Sequence, residues 1–468
     1  MKPVQLTENS NLSPIEILKA LKASGLGKAG AAIFRVSEIK DASFSPVISI
    51  IGVDPVEILR SRGGETTLVK GNKIRKLSAD PFHALQLLLS ERRVLALPDF
   101  PSFQGGALGY LSYEASRFTE PTLNEKPTFS NQRTGYDAEL VFFRMYVLLD
   151  HRNGTSYLIS ETPKGDAARV VSILKKFKPR PASKRKSTVA LNLSDMSSNL
   201  GKIKFISAVK KLKTHILDGN IFQAVLSDQF TQKFSGDGLD LFETLAGLSP
   251  APYQFYLEIE GRTYLGASPE MLLKSEKDQI ETHPIAGTRP RGKDSKEEAK
   301  QEKQLVRSIK ERAEHLMLVD LARNDLGRVA KPGSVKVDSF MKVRKFGGVM
   351  HLVSKVSASL ASDAHALQAL ASCFPAGTLS GAPKIRAMEL ISDLEGKARG
   401  FYGGAFIAAS LTGELDSCIT IRGISIENET ATIQVGAGIV ADSVPEKEYA
   451  EIEHKSRMTR QALAEVSR

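Results

Sequence analysis

The ten residues Ile221-Phe-Gln-Ala-Val-Leu-Ser-Asp-Gln-Phe230 alternate: Phe222, Ala224, Leu226 and Phe230 fall on one face, Gln223, Ser227 and Gln229 on the other. This period of two predicts a β-strand with one packed face and one partly polar face. Just before it, Phe205 to Asp218 reads as a helix that stops at Gly219-Asn220, residues that tolerate the left-handed turn ending many helices. Downstream, a long helix is expected from about Ser295 to Leu321 and another from about Glu446 to the C-terminus. Strands are expected at Tyr264 to Ala267, Ser417 to Ile426 and Thr430 to Val435. Strands mixed with long helices make this half α+β, and no internal repeat is visible.

Upstream lies a basic stretch. Lys175, Lys176, Lys178, Arg180, Lys184, Arg185 and Lys186 carry seven of the net +11 charges with no acid among them. Rich in Pro and Ser, it reads as a solvated tether rather than a nucleic-acid arm. The expected organisation is an N-terminal domain over 1–175, a linker over 176–199 and a catalytic domain over 200–468. In the first part Ser13 is a plausible N-cap, with Pro14 in the first turn and Glu16 closing a capping box, so a helix is expected to Ser24. Strand-like runs at Val47 to Val53 and Leu140 to Leu149, and the turn Asn153-Gly154, suggest a mostly antiparallel sheet.

The chain has 468 residues, 41% hydrophobic and 25% charged, values that exclude a disordered or fibrous protein. Two cysteines, Cys373 and Cys418, exclude a disulfide scaffold and point to a reducing, cytoplasmic setting. The longest apolar run, near Pro46 to Val53, is too short to span a bilayer, and the N-terminus does not read as a signal peptide. Neither a membrane nor nucleic acid is an expected partner.

Three groups of residues can carry chemistry. Glu311 with Glu314 and Glu448 with Glu451 are pairs three apart on helices, so each pair shares a face. On the first helix Leu305, Ile309, Leu316 and Val319 form the expected apolar stripe, with the glutamates opposite. Either each pair is a solvated face, or the two helices confront one another across a cleft. Four carboxylates there repel unless a hard dication lies between them, and Mg²⁺ suits oxygen ligands. A di-iron site needs two Glu-x-x-His pairs, and only Glu451 to His454 fits. The second group is glycine-rich. Gly436-Ala-Gly438 precedes a helix that begins too late for a dinucleotide turn, and its bare N–H groups suit a carboxylate. Gly377-Thr378-Leu-Ser-Gly-Ala-Pro-Lys384 lacks the spacing of a phosphate loop and reads as a turn or an anion contact. The third group is single polar residues in apolar settings: Glu270, His351, Tyr402 and Arg422. Together they offer an acid, an imidazole, a hydroxyl and a cation, a set for a small substrate with more than one carboxylate.

Four stretches resemble the chorismate-utilising enzymes: Pro284-Ile-Ala-Gly-Thr-Arg-Pro-Arg-Gly292, the run Glu311 to Asp325, Phe374 to Lys384, and Gly436-Ala-Gly-Ile-Val-Ala-Asp-Ser443. The likeness covers roughly Phe205 to Arg460, and Gln104 to Tyr110 resembles the family's N-terminal domain. The resemblance implies an α+β fold of two packed antiparallel β-sheets flanked by helices. It implies Mg²⁺ held by Glu314 and Glu451, with Glu311 and Glu448 behind them. It implies chorismate bound by Thr288, Thr378, Tyr402, Arg422 and the backbone of Gly436 and Gly438, with Glu270 and His351 as the catalytic pair. The implied lyase activity converts chorismate and ammonia to anthranilate and pyruvate, the first step of tryptophan biosynthesis. Gln223 stands where water-adding members carry a lysine base, and Ala286 where many members that make aminodeoxychorismate carry a nucleophilic lysine. Aminodeoxychorismate synthesis, and chorismate binding without catalysis, are the alternatives. Neither cysteine sits in a Gly-x-Cys-x-Gly elbow, so ammonia is expected from a separate glutamine amidotransferase subunit. The chain departs from the family pattern at Gln254, at Phe346-Gly347-Gly348 and at Gly423.

Overall fold

The structure, a computed structural model, describes residues 2–6, 12–40, 43–98, 100–129, 135–179, 192–346 and 348–467. Residues 180–191 of the expected tether, with Arg180, Lys184, Arg185 and Lys186, lie outside the described residues, as does Gly347. The fold is α+β. Every strand pairing among the described residues is antiparallel, and pairing joins the two ends of the chain. Gly30–Lys40 pairs with Tyr253–Ile259, and Gly106–Leu111 pairs with Ala405–Ser410.

Alternation along these strands builds the layers, because successive side chains leave opposite faces of a sheet. In Gly30–Lys40, Ala31 and Ile33 enter a core covered by helices, while Ala32 and Phe34 enter a core lined by strands. In Ala138–Asp150, Leu140 and Phe142 face a second helix-covered core, while Val141 and Phe143 face the strand-lined one. The sheet network therefore folds over on itself, with helices outside both halves, as two packed sheets require. Phe406 ties the halves together, stacking on Phe34 at 5.7 Å and on Phe255 at 4.9 Å between ring centroids.

The expected first helix is present as Pro14–Ala23, with Ser13 as N-cap and the capping box to Glu16 formed. The alternating segment is the strand Gln223–Lys233, with Ala224, Leu226 and Phe230 buried as expected. Phe222 departs from expectation. It precedes the strand and is 70% exposed. Gln223 and Ser227 on the other face are buried too, so both faces of the strand are covered.

The expected helix over 295–321 is two helices, Ser295–Arg307 and Ile309–Gly327. Ser308 ends the first in extended backbone, and its hydroxyl accepts the Glu311 N–H as N-cap of the second. The break resets the helical phase, so the expected apolar stripe does not hold. Ile309 is 86% exposed and Leu316 faces solvent, while Leu318, Val319, Ala322 and Leu326 are buried. Likewise the last helix divides at Ser456 into Pro445–Lys455 and Arg457–Val466. The expected strand over 417–426 is interrupted between Leu415–Ile419 and Gly423–Glu427 by Arg422, whose φ is +49°. Among the described residues no helix is long and apolar enough to cross a membrane.

Candidate active site

The two glutamate-bearing helices confront one another. Glu314 is pushed to a higher pKa first by burial, then by Glu311, and further by Glu451. Glu448 is pushed up by burial and by Glu451, against a hydrogen bond from Ser443 and the charge of Lys310. Each helix is capped to present these acids. Ser308 opens one, while Pro445 in the first turn and Lys455 in the last suit the other to its dipole. Among the described residues no three His, Cys, Asp or Glu side chains form a tight metal cluster. The arrangement instead offers separated carboxylates that repel one another. Such an all-oxygen set fits a hard cation that uses one or two carboxylates and fills its shell with water and substrate.

Glycines bring the backbone close to these acids. Gly287 has φ +67°, and a Cβ on it would lie 2.9 Å from Glu311 Oε2, so only glycine fits. Gly438 adjoins the Gln223 amide, whose Nε2 donates to Glu314 Oε1 at 3.4 Å. The other end of that amide, Gln223 Oε1, is buried without a partner. Gly436 lies against the buried hydroxyl of Tyr402, whose pKa is raised by burial.

Glu270 is buried beyond this point. Burial pushes its carboxyl up to about 8, although Thr378, the Ile285 N–H and Lys455 all favour the charged form. The Thr378 hydroxyl adjoins that carboxyl yet makes no well-formed hydrogen bond. Glu270 and Thr378 line a small hollow of about 40 Å³ together with Leu318, Leu321 and Ala322. His351 pairs in register with Thr288 on the neighbouring strand. Its Nδ1 lies 2.9 Å from the Gly287 carbonyl, so Nδ1 carries the proton and Nε2 is left as an acceptor. Thr288 Oγ1 is 3.1 Å from the same nitrogen. Burial lowers His351 to about 4, and the charges of Arg422 and Lys455 lower it further. It is a neutral imidazole at neutral pH.

Arg422 occupies the left-handed corner between two strands. Its surface is open to water, yet protein surrounds it closely enough to lower its pKa, and burial is the only cause. It is a solvent-exposed cation, and among the described residues no acid is paired with it. All the expected site residues thus share one neighbourhood. Glu270 and His351 both sense Lys455, Lys455 touches Glu451, and Glu451 acts on Glu314 and Glu448. Lys455 was not among the expected residues. Its Nζ donates to Glu451 at 2.6 Å and to the Gly436 carbonyl at 3.1 Å, so it links the acids to the glycine strand. Its position four after Glu451 on one helix was the available signal.

The family described as chorismate binding enzyme matches residues 35–461. Anthranilate synthase component 1 of Geobacillus stearothermophilus is 38% identical over 460 residues, covering 93% of this chain and 90% of that protein. The protein of the same name from Aquifex aeolicus is 40% identical over 379 residues, 78% of this chain and 75% of that one. The crystal structure of anthranilate synthase component I from Streptococcus pneumoniae TIGR4 superposes with a TM-score of 0.78 at 30% identity, covering 90% of this chain and 94% of that one. With a cleft of this composition and matches of this extent, the chain belongs to the chorismate-binding enzyme family.

Proposed function

We propose that this chain is component 1 of an anthranilate synthase, a lyase that turns chorismate and ammonia into anthranilate, pyruvate and water. The observation that carries the reading is Glu270: a carboxyl that burial keeps protonated near neutral pH, at the end of a cleft holding an unpaired arginine and two pairs of glutamates. The 4-hydroxyl of chorismate is a poor leaving group and needs a proton as it departs. Glu270 supplies that proton and the hydroxyl leaves as water. The C2–N bond to ammonia forms as the C4–O bond breaks.

Arg422 suits one substrate carboxylate, since its planar fork donates to both oxygens. The N–H groups of Gly436 and Gly438, with Thr288, Thr378 and Tyr402, complete the substrate contacts. Mg²⁺ fits between Glu314 and Glu451, with Glu311 and Glu448 behind, and when bound supplies the positive charge that fixes the ring carboxylate. Gln223 cannot deprotonate water, but its unpartnered Oε1 can accept an N–H from ammonia. The neutral Nε2 of His351 can take the C2 proton as pyruvate leaves. Ammonia reaches this site from a second component, a glutamine amidotransferase.

The test is chorismate, ammonium and Mg²⁺ with the purified chain, read by anthranilate fluorescence and product mass. Anthranilate is expected. Aminodeoxychorismate as product would overturn the reading in favour of the folate-pathway alternative. Against that alternative stands Ala286, which offers no amine for a covalent adduct.

A further inference from the structure

The helix Ile309–Gly327 carries Glu311 and Glu314 near its start and a different working face near its end. Leu318, Leu321, Ala322 and Asp325 follow the spacing of one helical face and line the hollow that Glu270 and Thr378 share. Against that face lies the segment joining the helices Ala366–Cys373 and Lys384–Glu395. Contact is close at Gly377, where a Cβ would lie 2.2 Å from Leu321 Cδ2. Thr378 is the next residue. One turn along from Leu321, Asp325 accepts a hydrogen bond from Lys384 Nζ at 2.8 Å. The same ammonium lies 3.4 Å from the Cys373 carbonyl, so Lys384 draws the two ends of the segment together at the helix.

Neither charge is one that its own helix favours. Lys384 stands at the first position of its helix, where the dipole favours an acid, and Asp325 stands in the last turn of its own, where the dipole favours a cation. Their side chains are only 11% and 8% exposed. Burial raises the pKa of Asp325 and outweighs the opposing pull of Lys384 and Arg328, while Glu120 adds to the rise. A buried ion pair whose desolvation is incompletely offset is a poor source of stability, and what its directional geometry supplies is a fixed position. Position matters here, because the Thr378 hydroxyl adjoins the Glu270 carboxyl. A misplacement of about 1 Å near reacting groups costs up to roughly 10²-fold in rate. The proposed chemistry uses neither Lys384 nor Asp325.

We propose that Lys384 and Asp325 are positioning residues: their ion pair clamps the segment 374–383 to the helix Ile309–Gly327 and so holds Thr378 beside Glu270, where it meets the substrate. Neither residue touches the reacting atoms. The inference rests on the chorismate-converting reading above and deepens it, by naming what sets the geometry of one substrate contact.

Replacing both charges separates position from stability. Lys384→Met alone strands a buried carboxylate and should lower the unfolding temperature. Lys384→Met together with Asp325→Leu removes both charges, and this double variant should unfold at the parent temperature or above it. Its ammonium-driven kcat/KM for chorismate is nonetheless expected to fall about tenfold or more. Added to Thr378→Val, the same two changes should lower kcat/KM by no more than about twofold further, because the clamp acts through that hydroxyl. Lys126→Met with Asp393→Leu removes an ion pair at the other end of the Lys384–Glu395 helix, and kcat/KM should there stay within about twofold of the parent. A Lys384–Asp325 double variant less stable than the parent makes the pair a structural one and overturns the proposal. So does an unchanged kcat/KM in it, or a loss that adds in full to that of Thr378→Val. Hydrogen exchange on the free chain reads the clamp without substrate: amides over 376–380 should exchange about tenfold faster in the double variant, and equal exchange overturns the proposal. Absence of ammonium-driven anthranilate from the unmodified chain overturns the function itself and leaves the exchange test standing.

Discussion

Arg399 is buried and Arg422 is open to water on one side, and their partners differ as well. Arg399 donates to both oxygens of Glu395, at 2.9 and 2.7 Å, and to the carbonyls of Leu379 and Val225. Glu395 also accepts from the Ser227 backbone and hydroxyl, and Glu114 accepts from the N–H groups of Arg399 and Gly400. Arg422 has no acid beside it, and burial alone sets its pKa. The groups around the Arg422 cleft share that condition. Gln223 Oε1 and Thr378 Oγ1 lack partners, and Glu270 is kept protonated by burial. The two clusters are adjacent, for Leu379 follows Thr378 and Val225 lies two residues past Gln223. A densely hydrogen-bonded arginine–glutamate network therefore backs a sparsely bonded one. Buried polar groups are nearly always paired in native proteins, so a group left unpaired is held for something else. Around the cleft, Thr378 and Glu270 line the same small hollow, and Gln223 reaches Glu314 beside it.

Substitution should separate the clusters. Glu270→Gln keeps the shape of the side chain and removes its proton, and kcat is expected to fall by about 10²–10⁴-fold. Its stability effect has the opposite sign. A carboxyl raised from 4.5 to about 8 costs the fold nothing below pH 4.5, and destabilises it increasingly as pH rises towards 8. Thermal unfolding should show the variant equal to the parent at pH 4 and more stable at pH 8. Parent and variant equally stable at pH 8 would mean that Glu270 ionises normally.

The two arginines form the next contrast. Arg399→Leu leaves Glu395 buried without its countercharge and should cost about 3–5 kcal/mol in denaturant unfolding. Arg422→Leu removes a charge that has no partner, so stability should hold or rise. Its loss should appear in kcat/KM for chorismate, roughly 10²-fold for a carboxylate's charge-assisted hydrogen bonds. An Arg422→Leu variant as unstable as Arg399→Leu would erase the distinction between the clusters. In the parent, with free ammonia held constant, kcat/KM should fall tenfold per pH unit above about 8 as Glu270 ionises. A profile flat to pH 10 would remove Glu270 from the acid role.

Much of this was legible in the sequence, and what was not has identifiable causes. The glutamate pairs are visible because an i,i+3 spacing fixes a shared helix face whatever the tertiary fold. Alternation at Gln223–Lys233 survives for a similar reason, since a strand's period is local. The helix break at Ser308 was missed because Ser is only mildly unfavourable inside a helix, and its capping role depends on where the chain turns. That one break reversed the reading of Ile309 and Leu316. Arg422 sat within an apparently continuous strand, and only the structure reveals the left-handed corner that aims it into the cleft. Lys455 was hidden by its ordinary setting in a charged helix end. Its contact with the Gly436 carbonyl depends on a strand 19 residues away.

The smallest contrast is between two threonines. Thr378 Oγ1 is buried with no partner, whereas Thr420 Oγ1 donates to the Phe401 carbonyl. Valine has the same shape as threonine without the hydroxyl, so each substitution tests one polar atom. Thr420→Val leaves the Phe401 carbonyl with only the long 3.4 Å bond from the Gly404 N–H and should cost about 1 kcal/mol. Thr378→Val removes a hydroxyl that makes no well-formed hydrogen bond among the described residues, so stability should be unchanged or higher by about 1 kcal/mol. Catalysis should respond in reverse: Thr420→Val leaves kcat/KM near the parent value, and Thr378→Val lowers it by about tenfold, the worth of one neutral hydrogen bond to substrate. Saturating chorismate analogue should then stabilise the parent more than Thr378→Val, because only the parent hydroxyl gains a partner on binding. Equal ligand-induced shifts in Tm for the two proteins would show that Thr378 faces no substrate, and its unpaired hydroxyl would then need another explanation.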